Sequence, residues 1–277
     1  MEILALIFLL ICVILLALTK PKTPSESQYG PFYGRNIAHR GLHSKDQSIP
    51  ENSIPAFRAA VEKGYGIELD LHLTNDGQVV VVHDDNLKRI CGVDKIVKDL
   101  TYGQLLELNL FETEEKIPKF TEVLDIVSGK VPLIIELKVV RGDQNELCSK
   151  AWDILKDYRG DFCIESFNPF AVAWFNRRHA NVYRGQLTDS YGSLKKSAPW
   201  PAAFVVANCL SNIFARPHFI AHSTNKKSVL VMFAQWLGAK KVVWTVRDEK
   251  LARKYEAENA TVIFENYLPK PVYYKEK

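Results

Sequence analysis

The stretch GIELDLHLTNDGQVVVVHD at 66–84 holds two strand patterns joined by a tight turn. Residues 66–71 and 78–83 are rich in apolar and β-branched residues, which is typical of strands, and TNDG at 74–77 separates them. A parallel connection needs about a dozen residues, so the second run must pair antiparallel with the first, as the arm of a hairpin. This run is therefore kept apart from the parallel strands predicted in the rest of the chain.

Seven further strand patterns lie at 36–39, 132–138, 161–166, 182–187, 217–222, 241–246 and 261–265. Helical patterns alternate with them, at 53–63, 145–158, 168–178, 225–238 and 248–258. With 66–71 there are eight strands, and their alternation with helices indicates parallel strands covered by helices. Eight such units in roughly 240 residues have the size of a TIM barrel. No GxGxxG loop supports an open doubly wound sheet. We therefore predict an α/β fold, a TIM (β/α)8 barrel with an extra β-hairpin arm after strand 2.

The composition is that of an ordinary globular protein, with 47% apolar and 25% charged residues among 277. The net charge of +4 is small, and the lysine pairs at 195–196, 226–227 and 240–241 have no patterned aromatic residues between them. We therefore expect no nucleic acid as a partner. The five cysteines are odd in number and form no CxxC pair, which argues against a disulfide framework or a zinc site.

The N-terminus differs in composition from the rest of the chain. Residues 3–18 are sixteen apolar residues without a break, and Lys20 and Lys22 follow them. As a helix they would rise about 1.5 Å per residue, which is a short but feasible membrane span. The acidic Glu2 and the poor cleavage site disfavour a signal peptide.

These features predict three segments. Residues 1–19 are expected to form a transmembrane anchor, residues 20–33 a tether and residues 34–277 the barrel domain. The protein is thus expected in a membrane, held by a single N-terminal helix. The lysines that flank this helix favour the cytoplasmic side for the domain.

Carboxylates share one face of two predicted strands. Glu68 and Asp70 alternate with leucines, as Glu136 and Lys138 do in the strand at 132–138, so each pair points to the same side. Inward residues at the ends of barrel strands line the mouth, where TIM-barrel active sites lie. Three carboxylates there require a compensating cation. Oxygen ligands favour a hard divalent ion, Mg²⁺ or Ca²⁺, with Mn²⁺ as a further option.

Two histidines end strand patterns near these carboxylates. His39 ends the first strand and is followed by Arg40, and His83 ends the hairpin arm. A histidine titrates near neutrality, so one of them could act as a general base and the other as a general acid. Arg40 and Lys138 add fixed positive charge, which suits a phosphate. No GxSxG elbow or Walker loop supports a serine hydrolase or a nucleotide site.

The segments AHRG, PENSIPAF, IELDLHLTNDGQVVVVHD, IIELK, ESF and VVWTV, in this order, resemble the glycerophosphodiester phosphodiesterase family. The resemblance runs from about 36 to 246 and is most specific at 36–84. Members of that family are TIM barrels that use a divalent metal to hydrolyse glycerophosphodiesters to sn-glycerol 3-phosphate and an alcohol. The resemblance therefore implies a phosphoric diester hydrolase that acts on a small-molecule substrate of this class.

The resemblance also implies roles for the residues in the matching motifs. General acid and base would be His39 and His83, and the metal ligands would be Glu68, Asp70 and Glu136. Arg40 and Lys138 would hold the phosphate. The remaining matches would be positioning residues, Glu51 and Asn52, and a residue lining the glycerol side of the pocket, Trp244. The last strand departs from the family pattern, because TVIFENYLP places Glu265 or Asn266 where an Asp is usual.

Two other functions remain open at this stage. The same site could cleave lysophospholipids in the manner of a phospholipase D, since such substrates partition into the bilayer that the anchor would enter. A non-catalytic membrane-anchored binding module on a degenerate barrel is the alternative from another class. The attacking oxygen could come from water or from the neighbouring glycerol hydroxyl, which would form a cyclic intermediate.

Overall fold

The computed structural model describes residues 2–273. The strands are β1 (Asn36–Ala38), β2 (Gly66–Leu73), β3 (Val79–Val81), β4 (Leu133–Leu137), β5 (Phe162–Ser166), β6 (Tyr183–Thr188), β7 (Phe219–Ser223), β8 (Lys240–Val246) and β9 (Thr261–Phe264). The long N-terminal helix and the helices of the barrel are α1 (Glu2–Thr19), α2 (Glu26–Tyr29), α3 (Ile54–Glu62), α4 (Lys88–Cys91), α5 (Tyr102–Leu105), α6 (Phe120–Val127), α7 (Gln144–Leu155), α8 (Pro169–Arg178), α9 (Tyr191–Leu194), α10 (Trp200–Ala207), α11 (Asn212–Ala215), α12 (Val229–Trp236) and α13 (Glu249–Ala257). Two 3₁₀ turns lie at Gly30–Phe32 and Val97–Asp99.

Eight parallel strands form a closed barrel. Their order is β1-β9-β8-β7-β6-β5-β4-β2, and pairing of β1 with β2 closes the ring. The strand β3 pairs antiparallel with β2, with Leu71 opposite Val81. The predicted TIM barrel and its hairpin arm are confirmed, and every predicted strand agrees with the structure to within about two residues at each end.

Side chains alternate between the inside of the barrel and the helix layer. On β4, Ile134 packs with residues that fill the barrel, whereas Leu133, Ile135 and Leu137 pack against the helices. The inner cluster is completed mainly by residues of the same layer on other strands: Ile37, Cys163, Tyr183, Phe219, Val242 and Ile263. This layer plugs the N-terminal end of the barrel, so polar inward residues nearer the strand C-termini lie above it.

An insertion after β3 has its own small core. Residues 84–119 pack apolar side chains, including Leu87 and Ile90, against Val80 and Val82 of the hairpin arm. The arm is thus held between β2 and this insertion, and the insertion can support side chains that follow β3.

The N-terminal segment is predicted as a membrane-spanning helix at 1–19 followed by a tether at 20–33. Among residues 2–273 we find no helix with both the length and the apolar composition to cross a membrane, so the predicted transmembrane anchor at 1–19 is not confirmed. The segment does form a helix, α1 (Glu2–Thr19), and most of its large apolar side chains are exposed. The segment at 20–33 packs on the barrel: Phe32 is buried in the inner cluster and Lys22 N donates to Pro217 O at 2.9 Å.

Candidate active site

Three buried carboxylates meet inside the barrel mouth. Glu68 and Asp70 come from β2 and Glu136 from β4, and Asp70 and Glu136 are partners in the strand register. One oxygen of each carboxylate lies within 4.8 Å of an oxygen of the other two. The leucines between them face the helix layer, which explains why two acidic residues one position apart tolerate burial on the same face. The predicted metal ligands therefore converge.

The electrostatics of this cluster fit a hard cation. Burial, and then the charge of Asp70, raises the pKa of Glu68 well above its ordinary value, and burial also raises the pKa of Glu136. Asp70 Oδ1 is buried and accepts no hydrogen bond of good geometry, although Lys138 Nζ lies 3.1 Å from it. Three oxygen donors that cannot all carry charge unaided are the ligand set that Mg²⁺, Mn²⁺ or Ca²⁺ prefers. Glu68, Asp70 and Glu136 can hold such an ion.

Two cations border the carboxylates. Lys138 Nζ lies 2.8 Å from Glu136 Oε2 and 3.1 Å from Asp70 Oδ1, and Arg40 Nε lies 3.6 Å from Asp70 Oδ2. Burial alone would lower the pKa of Lys138, but Asp70 and Glu136 raise it above its ordinary value, so the ammonium stays charged. Burial would raise the pKa of Asp70, yet Lys138 and Arg40 contribute to holding it well below its ordinary value. Both cations thus lie beside the carboxylate cluster, and their role in binding a phosphate stays a prediction.

The pair Glu51 and Asn52 contacts the site from the loop after β1. Arg40 Nη1 donates to Glu51 Oε1 at 2.7 Å, and Asn52 Nδ2 donates to Asp70 Oδ2 at 2.8 Å. Arg40 has φ of +54°, and its backbone N–H donates to Glu68 Oε2 at 3.0 Å. Glu51 and Asn52 therefore contact a cation and a carboxylate of the site, and the positioning role that the family resemblance implies for them stays a prediction.

His39 is held by a carboxylate from the last strand. Its Nδ1 lies 2.6 Å from Glu265 Oε2, and its Nε2 lies 3.9 Å from Glu68 Oε2. Arg247 Nε donates to the other Glu265 oxygen at 2.5 Å. Burial would raise the pKa of Glu265, but hydrogen bonds from His39, His43 and Arg247 lower it well below its ordinary value. The charged Glu265 carboxylate accepts a hydrogen bond from Nδ1–H of His39. This fixes the tautomer in which Nε2 is unprotonated and can act as an acceptor.

His83 has an equivalent partner next to it in the chain. Its Nδ1 lies 2.6 Å from Asp84 Oδ1, and Arg89 Nε donates to Asp84 Oδ2 at 2.7 Å. Arg89 also bonds Glu51 Oε1 at 2.6 Å, which links this histidine to the Arg40 side of the mouth. The Val82 amide donates to Asp70 O at 3.0 Å, so the hairpin arm places His83 beside the carboxylates.

Trp244 stands on the other side of the mouth. It faces inward from β8 beside Ser223 of β7, and its ring makes an edge contact with Phe167 at 5.7 Å between centroids. Within the described residues, no hydrogen bond or ring contact joins it to the carboxylates, and its indole Nε1 is buried without a partner. The mouth therefore has an ionic half, where β1, β2, β4 and β9 end, and an aromatic wall formed by Phe167 and Trp244.

Several residues of this site received no role from the sequence. Glu265, Asp84 and Arg89 position the two histidines, and Glu165 on β5 is a buried neighbour of Glu136 whose pKa burial raises well above its ordinary value. The inward parity of Glu165 with Glu136 was available as a signal. His72, which is not among the predicted site residues, lies next to the site, with its Nε2 3.2 Å from the carbonyl oxygen of His83.

The arrangement can support proton transfer beside a hard cation. Two imidazoles bonded to carboxylates, three carboxylates that can hold a metal ion and two cations lie at the barrel mouth. This combination suits displacement at a phosphoryl group, where charge builds on non-bridging oxygens and protons move at the attacking and leaving oxygens.

Comparison with known proteins gives consistent matches. The sequence model of the Glycerophosphoryl diester phosphodiesterase family matches residues 39–268. A glycerophosphodiester phosphodiesterase of Caldanaerobacter subterraneus is 36% identical over 149 residues, which is 49% of this chain and 59% of that protein. A lysophospholipase D of Rattus norvegicus is 37% identical over 141 residues, which is 46% of this chain and 43% of that protein. The matched segments thus span about half the length of these two relatives.

A solved structure matches over more of its length. A phosphodiesterase from Oleispira antarctica, in complex with the product sn-glycerol-3-phosphate, has a TM-score of 0.70 at 24% identity. The match covers 85% of this chain and 94% of that chain, and it shows a shared fold.

Proposed function

The chain belongs to the glycerophosphoryl diester phosphodiesterase family, and on this premise we propose that it is a phosphoric diester hydrolase that cleaves glycerophosphodiesters to sn-glycerol 3-phosphate and an alcohol. One observation carries the proposal. His39 and His83 each have Nδ1 bonded to a carboxylate at 2.6 Å, and both follow strands that lead to the cluster of Glu68, Asp70 and Glu136.

The residues of the chain divide the work of the reaction. One histidine accepts the proton of the attacking oxygen through Nε2, and the other donates a proton to the leaving alcohol. Glu265 and Asp84 keep the tautomers fixed and stabilise each imidazole when it is charged. Arg40 and Lys138 bind the phosphoryl oxygens. A divalent cation held by the three carboxylates would supply further stabilisation of the negative charge that builds there.

The test is an assay of the full-length chain. Purified protein is depleted of metal and given glycerophosphocholine with Mg²⁺, Ca²⁺ or Mn²⁺ restored in turn, and sn-glycerol 3-phosphate is measured. Metal-dependent release is expected. Turnover should be lost in H39A and in H83A with an unchanged circular dichroism spectrum. Near-normal turnover in either variant would contradict the assignment.

A second substrate class has separate support. Most large side chains of α1 between Ile3 and Leu16 are exposed and apolar, so this helix can bury itself in lipid. We infer that α1 attaches the enzyme to a membrane, with the barrel on the cytoplasmic side, and that lysophospholipids are cleaved there at the same site. Release of choline from lysophosphatidylcholine supports this inference, whereas activity on deacylated substrates alone contradicts it. Alkaline extraction of membranes tests the attachment.

A further inference from the structure

One side of the barrel exposes large apolar side chains. The surface formed by α10 and α12, here termed the α10–α12 face, carries exposed Trp200, Phe204, Val229, Met232 and Trp236. Trp200 is 70% exposed and Trp236 78% exposed, although tryptophan is normally among the more buried residues. A contiguous apolar surface of this kind marks an interaction site.

Neither helix of this face has a polar side. The sequences are WPAAFVVA in α10 and VLVMFAQW in α12. Ala203 and Ala207 are buried on the inner side of α10, and Val231 and Ala234 on that of α12, so the outer residues are not needed for the core. A surface helix of a globular domain normally turns polar residues outward, and one that is apolar all round is covered on both sides.

The two helices are adjacent and lie near α1. Ser228 Oγ, which precedes α12, donates to Ala207 O of α10 at 3.0 Å. Next to α10, Asn212 Nδ2 donates to Thr19 O at the end of α1 at 2.9 Å. The apolar helix α1 therefore ends on the domain close to the α10–α12 face.

The segment of the chain that contains α10 and α12 carries only basic charges. Residues 190–247 contain no Asp or Glu, but they contain six lysines and two arginines. Lys195, Lys196 and Lys226 are exposed and lie near the starts of the two helices. Tryptophan at the level of the headgroups, with lysine beside it, is the pattern that binds anionic bilayers.

We propose that the α10–α12 face docks on an anionic lipid bilayer and presents the barrel mouth to it, which rests on the lipid-derived substrates proposed above. The helix α12 follows β7 and so begins at the mouth end. The C-terminal end of α10 lies there too, because Thr188 Oγ1 at the end of β6 donates to Val206 O at 2.8 Å. Phe167, whose ring contacts Trp244, also packs against Ala203 and Ala207. The aromatic wall of the mouth and the docking face thus adjoin each other.

Tryptophan quenching separates this contact from attachment through α1, which contains no tryptophan. The full-length chain is added to vesicles of brominated phosphatidylcholine, with or without phosphatidylserine. Quenching is expected on the vesicles with phosphatidylserine, and most of it should disappear in the variant W200F/W236F. A wild-type protein that sediments with vesicles without being quenched, or a double variant quenched as strongly as wild type, would overturn the proposal.

The charge requirement has a matched control. K195E/K196E/K226E should lower the partition coefficient onto phosphatidylserine vesicles at least about tenfold. K63E/K130E reverses two exposed lysines at the ends of α3 and α6 and should change it little. An equal fall of the partition coefficient in both variants would overturn the proposal. So would a wild-type protein that is dimeric without vesicles and becomes monomeric in W200F/W236F, because the face would then bind a second copy of the chain. All these variants should still hydrolyse soluble glycerophosphocholine, whereas failure of the proposed function would abolish that activity in wild type.

Discussion

Glu265 holds His39 although the two residues are 226 positions apart in the sequence, with 2.6 Å between Oε2 and Nδ1. The contact exists because β1 pairs with β9, so the ends of these strands are neighbours in the closed barrel. In the sequence, Glu265 or Asn266 stands where the family pattern has an Asp. The structure gives Glu265 the orienting contact, and the side-chain amide of Asn266 donates to Glu265 Oε1 at 3.3 Å.

The variant E265Q should lower kcat about 10²-fold or more, because the amide can stabilise the wrong tautomer of His39 and cannot stabilise its charged form. The measurement is kcat and KM for glycerophosphocholine across a pH series. N266A is the matched control and should retain most activity. A KM effect with unchanged kcat in E265Q would show that Glu265 acts in substrate binding rather than in positioning the base.

The variant D84N should likewise lower kcat, because Asp84 is bonded to both His83 and Arg89. Burial would raise the pKa of Asp84, but the hydrogen bonds from His83 and Arg89 hold it well below its ordinary value, so the carboxylate is charged at neutral pH. R89K should show a smaller loss, since lysine keeps the charge but not the paired geometry. Equal activity of D84N and wild type would remove Asp84 from the mechanism.

Without metal, the stability of the protein should fall as the pH rises above the ordinary range for a glutamate. Burial raises the pKa of Glu68, Glu136 and Glu165, so folding favours their protonated forms. This contribution is fully present below the unfolded pKa and is lost as the pH rises through the folded values. Thermal denaturation in EDTA between pH 5 and 8 measures the slope.

Mg²⁺ or Ca²⁺ should reverse that trend, because the cation binds the deprotonated carboxylates and its affinity grows with pH. E68Q should show a shallower slope in EDTA and a smaller rise of Tm on adding metal. A metal-free protein whose Tm rises over the same pH range would contradict the assignment of this cluster as a cation site.

The variant G41A should destabilise the protein and disturb Arg40 next to it. Gly41 has φ of +79°, and an added Cβ would lie 2.9 Å from the backbone carbon of Ala56. Gly92 has φ of +74° with no atom within 4 Å of its added Cβ, so G92A carries the backbone cost alone, about 1 kcal/mol. Urea denaturation should show a cost for G41A that is larger by about 1–3 kcal/mol. An equal loss of unfolding free energy in the two variants would mean that the loop around Gly41 shifts to accommodate the added Cβ.

The sequence predicted most of the barrel and the ionic core of the site. Strand parity was sufficient, because apolar residues alternating with Glu68, Asp70 and Glu136 leave one arrangement with the leucines against the helices. The turn at 74–77 is too short for a parallel connection, so the antiparallel direction of β3 could be predicted from the sequence.

Other features depended on tertiary contacts that no local pattern reports. Arg89 lies in the four-residue helix α4 of the insertion, where periodicity has too few residues to indicate a face. The helix α10 carries apolar residues all round, so the amphipathic pattern used to predict helices does not find it. The pattern at 3–18 correctly indicated an apolar helix, but a span of the membrane is not confirmed among the described residues.

The seam between β1 and β9 also sets when the chain can become active. His39 is synthesised 226 positions before its partner Glu265, and well before Phe264, whose carbonyl oxygen accepts a hydrogen bond from the His39 amide. A nascent chain that has already folded Glu68, Asp70 and His83 together still lacks an oriented His39. An oriented His39 is therefore expected only once β9 and Glu265 have been added, and a chain truncated before Glu265 should be inactive rather than an unregulated enzyme.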